Sequence, residues 1–203
     1  MKPSRFSSRA DTDRDHVYQL AQKAVELDND DASAHAALGM IFHIDGDMEA
    51  AISEYRLAID LNPSLADSHH SLGAALIHSG RPEEALPHLE IAISLSPNDG
   101  KIGPFNARIS MAHFCLQDYE NAILWVRKAI RLPRVQWPTH AVLTSALAHI
   151  QRMDEAATEL SILREMQPDL SINFIQTLLP IVHQPTLDHL FDGLRKVGMP
   201  VGE

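Results

Sequence analysis

The stretch Leu38-Gly39-Met40-Ile41-Phe42-His43-Ile44-Asp45-Gly46-Asp47-Met48-Glu49-Ala50-Ala51-Ile52-Ser53-Glu54-Tyr55-Arg56-Leu57-Ala58-Ile59-Asp60-Leu61-Asn62-Pro63 decides the fold, because its key positions return 34 residues later. Leu72-Gly73, Gly80, Ala85, Ala92 and Pro97 stand where this copy has Leu38-Gly39, Gly46, Ala51, Ala58 and Pro63. Ala122 and Ala156 continue the row that Ala51 and Ala85 begin, at spacings of 34, 37 and 34. Several independent positions sharing one period mark a repeat array. The three extra residues fall around Gly100-Lys101-Ile102-Gly103-Pro104, a widened joint between the second and third copies.

The residue types make sense if each unit is a pair of antiparallel helices in close contact. A glycine inside a helix costs about 1 kcal/mol relative to alanine, so Gly39 opposite Ala51 and Gly73 opposite Ala85 must be offset by close backbone approach and burial of their larger neighbours. Gly46 and Gly80 fall where the first helix of each pair ends, suiting a left-handed C-terminal cap, and Pro82 suits the first turn of the next helix. Pro63 and Pro97 close each unit.

These residues resemble the tetratricopeptide repeat: Leu38-Gly39, Phe42, Ala51, Tyr55, Ala58 and Pro63 in one copy, then Leu72-Gly73, Leu76, Ala85, Leu89, Ala92 and Pro97. A third copy has Ile109-Ser110 for Leu-Gly but keeps Ala122, Val126 and Ala129. A fourth keeps Leu143, Leu147, Ala156, Leu160 and Pro168 with Thr144 for the glycine. The resemblance implies an all-α, right-handed superhelical solenoid of antiparallel helix pairs that binds a partner protein and catalyses nothing. The expected organisation is a flexible terminus over 1–12, a solenoid over 13–168 and capping helices over 171–198. Within it come a partial repeat over 13–31 and full repeats over 32–65, 66–99, 103–136 and 137–170.

The two ends have their own logic. Asp15 to Leu27 reads as a lone second helix with Val17, Leu20, Ala21 and Ala24 on one face, which suggests truncation or descent from a longer protein. At the other end an apolar segment, Ile172 to Leu179, stops at Pro180. Thr186 then caps a helix with Leu187, Leu190, Phe191, Leu194 and Val197 on one stripe, ended by Gly198 and Pro200. Asp188, Asp192, Arg195 and Lys196 give that helix the polar outer face of a solenoid cap. The ending Leu190 to Pro200 also resembles the carboxyl end of bacterial class III adenylate cyclases that carry these repeats behind a cyclase domain. That likeness implies, as an alternative, a regulatory or oligomerising module from a nucleotide cyclase or transcriptional regulator in signal transduction.

Composition narrows the function. A net charge of -10, from 27 acidic and 17 basic residues, disfavours nucleic acid as a partner. No stretch approaches the roughly 18 uncharged apolar residues of a membrane span, and Ser7, Ser8, Arg9, Asp11 and Asp13 stand where a signal peptide needs an apolar run. One cysteine, Cys115, excludes an internal disulfide and fits a reducing cytoplasm. Phosphate-cradling, nucleophile-elbow and dithiol motifs do not occur, so neither catalytic residues nor a cofactor are expected. The 12 histidines contain no helical i, i+4 pair, which disfavours a metal site, although His43 and His78 can approach each other from neighbouring repeats. His35, His69 and His140 take the place where this family often has tryptophan, and as a partly buried set they could make stability pH-sensitive.

In this family the first helices line the concave side. Carried over by position, the rows are Ala36, Met40, His43 and Ile44; His70, Ala74, Ile77 and His78; Ala107, Met111, Phe114 and Cys115; and Ala141, Ser145, Ala148 and His149. The Lys, Asn and Arg that clamp chaperone tails in some members are missing from those rows. The groove is therefore expected to take an amphipathic helix or apolar peptide, with Met40, Ile77, Met111 and Phe114 as adaptable contacts. The rival reading is that it binds its own tail or a second copy of the chain.

Overall fold

The computed structural model describes residues 7–97, 100–132, 136–179 and 181–202, and they form eleven helices without a strand. A lone helix, α1 (Ser7–Leu27), leads into four antiparallel pairs: α2 (Ala32–Asp45) with α3 (Met48–Leu61), α4 (Ala66–His78) with α5 (Pro82–Leu95), α6 (Ile102–Cys115) with α7 (Tyr119–Ile130), and α8 (Trp137–His149) with α9 (Met153–Met166). The short α10 (Ile172–Leu178) and α11 (Gln184–Lys196) complete the chain. Helix α1 begins at Ser7 rather than Asp15, so part of the segment read as a flexible terminus is helical; residues 1–6 lie outside the described residues, as does Pro180.

Local chemistry sets the boundaries. Asp31 accepts from the backbone of Ser33 at 2.8 Å, and Asp47 and Asp118 do the same for Ala50 and Asn121, each satisfying an otherwise orphaned N–H at a helix start. Gly46 and Gly80 end their helices at φ values of 83° and 84°. The equivalent residues in the third and fourth pairs are Gln117 and Gln151, which carry the same left-handed turn at 59° and 62°.

The alanine row is fully buried at 51, 85, 122 and 156. The glycines face mainly the residue four beyond it: a methyl on Gly39 would stand 2.9 Å from the Tyr55 ring, and one on Gly73 would stand 2.6 Å from Leu89. Ala51 contributes only its carbonyl, at 3.3 Å. Where the third pair has Ser110, its hydroxyl donates to the Ala122 carbonyl at 2.9 Å, and Thr144 in the fourth donates to His140 at 2.8 Å. Both are buried and satisfied, so the pair interface tolerates a small polar side chain.

The tail departs from the expected cap. After α10 the chain turns back over the inner wall, where the amides of Val182 and His183 donate to the His78 carbonyl at 3.2 and 3.1 Å. Helix α11 then packs on α8, and residues 200–201 return to the start of α10, with Ile172 and Asn173 donating to Pro200 and Val201 at 3.0 and 2.9 Å. The helix starts after His183, not at Thr186, whose hydroxyl instead pairs with His183 Nδ1 at 2.9 Å. Among the described residues no helix is long and apolar enough to cross a membrane.

Candidate functional site

The first helices touch in series, α2 with α4, α4 with α6 and α6 with α8, and so build one inner wall. Along most of its length the chain itself covers that wall. Ser145 donates to the carbonyl of Leu190 at 3.0 Å, and His149 Nε2 donates to the carbonyl of His189 at 3.0 Å, leaving its Nδ1 to accept from Lys196. The His149 and His189 rings stack at 4.1 Å beside Tyr119, whose hydroxyl pairs with His189 Nε2 at 2.7 Å. Leu187, Leu190, Phe191 and Leu194 share one core with Ile77, Met111, Phe114, Ala141 and Ala148.

The residues expected to line the groove therefore divide. Met40 and Ile44 are open, at 51% and 64% exposure, while Ala36 and His43 are partly covered. Ala74, Ile77, His78, Met111, Phe114 and Ser145 are buried, so they are core rather than surface in the closed chain. Cys115 is partly covered, with Thr186 Oγ1 4.0 Å from its sulfur, and burial pushes its thiol up to about 11. A thiol so placed is protonated at neutral pH and a poor nucleophile.

The histidines do two different things. His35, His69 and His140 bridge the helices of their own pairs through residues 19 positions on: Glu54 at 2.6 Å, His88 at 3.2 Å and Glu159 at 2.8 Å. His43, His70 and His78 lie at the junction between pairs. A guanidinium has only donors, so Arg108 Nη1 donates to His78 Nε2 at 3.1 Å; His78 Nδ1 must then hold a proton, which it donates to His43 Nε2 at 2.8 Å. Burial holds His43 down to about 4 and His70 to about 3, and His78 lies well below its usual value, with Arg108 adding to each effect. The expected approach of His43 and His78 is thus a hydrogen bond. Among the described residues no group of three His, Cys, Asp or Glu is placed to hold a metal ion.

Arg108 is the side chain that sequence reasoning passed over. It sits one residue past Ala107 and is the single formal charge in α6, a signal visible in the sequence once α6 is bounded at Ile102 and Cys115. It lines a cavity of about 370 Å³ between α4, α6, α8, α10 and the start of the tail.

Comparison with known proteins agrees with this geometry. Residues 39–80 match the model described as TPR repeat, and residues 66–99 match the tetratricopeptide repeat model. The chain is similar in structure to pilF of Pseudomonas aeruginosa, with a TM-score of 0.67 and 21% identity over 92% of this chain and 88% of that one. It is also similar to MamA from residue 41 onward of Desulfovibrio magneticus RS-1, at TM-score 0.66 and 18% identity, covering 76% and 86%. YrrB, a TPR protein described as having an unusual peptide-binding site, follows at 0.60 and 18%, covering 87% and 90%. No curated protein matches the chain in sequence. Tetratricopeptide repeats are thus present, and the α-solenoid is the fold.

Proposed function

We propose that the chain is a non-catalytic protein-interaction scaffold closed by its own C-terminal helix, and that a partner supplies an amphipathic helix or apolar peptide in exchange for it. One observation carries this reading: α11 is itself an amphipathic helix seated on the inner wall, with Leu187, Leu190, Phe191 and Leu194 buried and Asp188, Asp192, Arg195 and Lys196 on the remaining faces. A wall that takes that helix has the shape and apolarity to take another. Because the resident helix is tethered, it competes at high effective concentration, and a partner's apparent affinity is reduced by the fraction of time the wall is open. Met40 and Ile44 stay exposed and give an incoming helix its first apolar contact.

The same arrangement supports the regulatory role that the cyclase likeness implies, since the residues carrying that likeness, Leu190 to Pro200, are those that close the wall. The single cysteine supports a reducing, cytoplasmic setting. The test uses a fluorescent peptide of residues 181–202 and the full chain carrying Leu190→Asp and Phe191→Asp, which cannot seat its own tail. Anisotropy should show that this variant captures the peptide while the unsubstituted chain binds it at least about tenfold more weakly, as competition by the tether requires. A variant of normal helicity that ignores the peptide would refute the exchange.

A further inference from the structure

The cavity beneath the tail has a lining that the scaffold role does not need. Its floor is formed by α4, α6 and α8, and its roof by Leu178, Leu179, Ile181 and Leu190 of the folded-back tail. A volume of about 370 Å³ lies at the lower end of the range for small-molecule sites, roughly 300–1,000 Å³. Met111, Trp137 and Val142 join the roof residues to make most of the surface apolar.

Two polar features interrupt that surface. Arg108 lines the cavity and makes no ion pair with any Asp or Glu among the described residues; its contact is the neutral ring of His78, through Nη1. Arg108 is half-buried; a guanidinium has five N–H donors and does not lose its charge in proteins, so withdrawing one from water without a counter-charge carries a cost. His70 lines the same cavity, stacked on Phe105 at 4.7 Å, and its buried Nε2 has no hydrogen-bond partner among the described residues. The chain carries an excess of ten negative charges, yet no carboxylate among the described residues pairs with this cation. His78 gives Arg108 one neutral acceptor, its Nε2, while its Nδ1 proton is donated to His43.

We propose that this cavity binds a small amphipathic monocarboxylate, its head group on the free N–H groups of Arg108 and its apolar body between Met111, Trp137 and the tail. A planar guanidinium matches a carboxylate in two parallel hydrogen bonds, which an ammonium does not. Because the roof is the tail in its closed position, such a ligand also holds the tail down. The site rests on that closed geometry and not on partner exchange, so either proposal can fail without the other.

The test is calorimetric titration of the full chain with decanoate and with decanol, which shares the apolar body and lacks the charge. Decanoate should bind, and decanol should bind at least about tenfold more weakly, the scale expected for a charge-assisted hydrogen bond of roughly 1.5–3 kcal/mol. Arg108→Gln should bring decanoate down to the level of decanol, and Arg108→Lys should recover part of the difference. Without ligand, Arg108→Gln should leave helicity intact and the melting temperature unchanged or higher, because a half-buried charge without a counter-charge is removed. Equal binding of the two probes, absence of binding at millimolar concentration, or undiminished decanoate binding by Arg108→Gln would each overturn the assignment.

Discussion

Gly193 of the tail helix presses on Ser145 of α8 so closely that a methyl group on its α-carbon would stand 2.8 Å from both the Cα and the carbonyl oxygen of Ser145 and would overlap its hydroxyl. Backbone atoms cannot give way as a flexible side chain can. Gly193→Ala should therefore unseat α11, at a cost of about 1–3 kcal/mol or somewhat more. Hydrogen exchange should show protection falling across 186–194 while α2 to α5 keep theirs. Unchanged protection in the tail would mean that this contact does not hold it.

A second prediction concerns the left-handed turns that glycine makes in the first two pairs and glutamine in the last two. Non-glycine residues adopt that conformation at a cost of about 1–2 kcal/mol, whereas the flexibility glycine adds to the unfolded chain costs roughly 0.5–1 kcal/mol. Gln151, at φ 62°, is exposed, as is Gln117 at 59°, so neither substitution disturbs a core. Gln151→Gly should raise the urea midpoint by the equivalent of up to about 1 kcal/mol, and Gln151→Val should lower it. A lower midpoint for the glycine variant would contradict the argument.

The repeat period exposed the pairs, their left-handed caps and their alanine rows, because each of those features is set by residues within one 34-residue unit. The closed wall was less legible. A stripe of Leu187, Leu190, Phe191 and Leu194 specifies an apolar face but not what it meets, and an end cap would display the same stripe. The contacts that decide the matter join Ser145 to Leu190 and His78 to Val182, across 45 and 104 positions that no periodicity links. Arg108 is not singled out by sequence for a related reason: its importance comes from a roof supplied by residues 70 or more positions away.

Burial also changes what substitutions on the wall should do. Phe114 is fully buried and Met111 nearly so. Read as groove contacts, both should tolerate Asp with helicity intact; in the closed chain, Phe114→Asp enters a core and should lower helicity and thermal stability together. Phe114→Ala should cost about 3–5 kcal/mol by urea unfolding. A loss below about 1 kcal/mol would place Phe114 on an open surface.

The pH dependence follows mainly from the junction histidines. An unfolded imidazole titrates near 6.5. Burial, reinforced by Arg108, holds His43 at about 4 and His70 at about 3, with His78 also well below the usual value. Below pH 6.5 the unfolded chain binds more protons than the folded one, so stability is full above 6.5 and declines towards pH 4. His35 works in the opposite sense: burial opposes its charge, but the Glu54 carboxylate and the Asn29 carbonyl outweigh that and raise its value, giving stability that is present below 6.5 and fades as pH rises through the folded value. Burial also lowers His88 and His189, so the lowered histidines outnumber the raised one. The urea midpoint should drop between pH 7 and 5.5 by the equivalent of about 1 kcal/mol per junction histidine, and His70→Phe should remove part of that drop. A midpoint that is flat or rises on acidification would show that these rings are not held neutral.

The central claim is that the chain closes its own inner wall, and nuclear Overhauser contacts between tail and wall in the intact protein test it most directly. The account predicts cross-peaks from the Gly193 α-protons to Ser145 and from the His189 ring to the His149 ring. Sharp, random-coil resonances for 184–196, or tail contacts confined to α9, would contradict it.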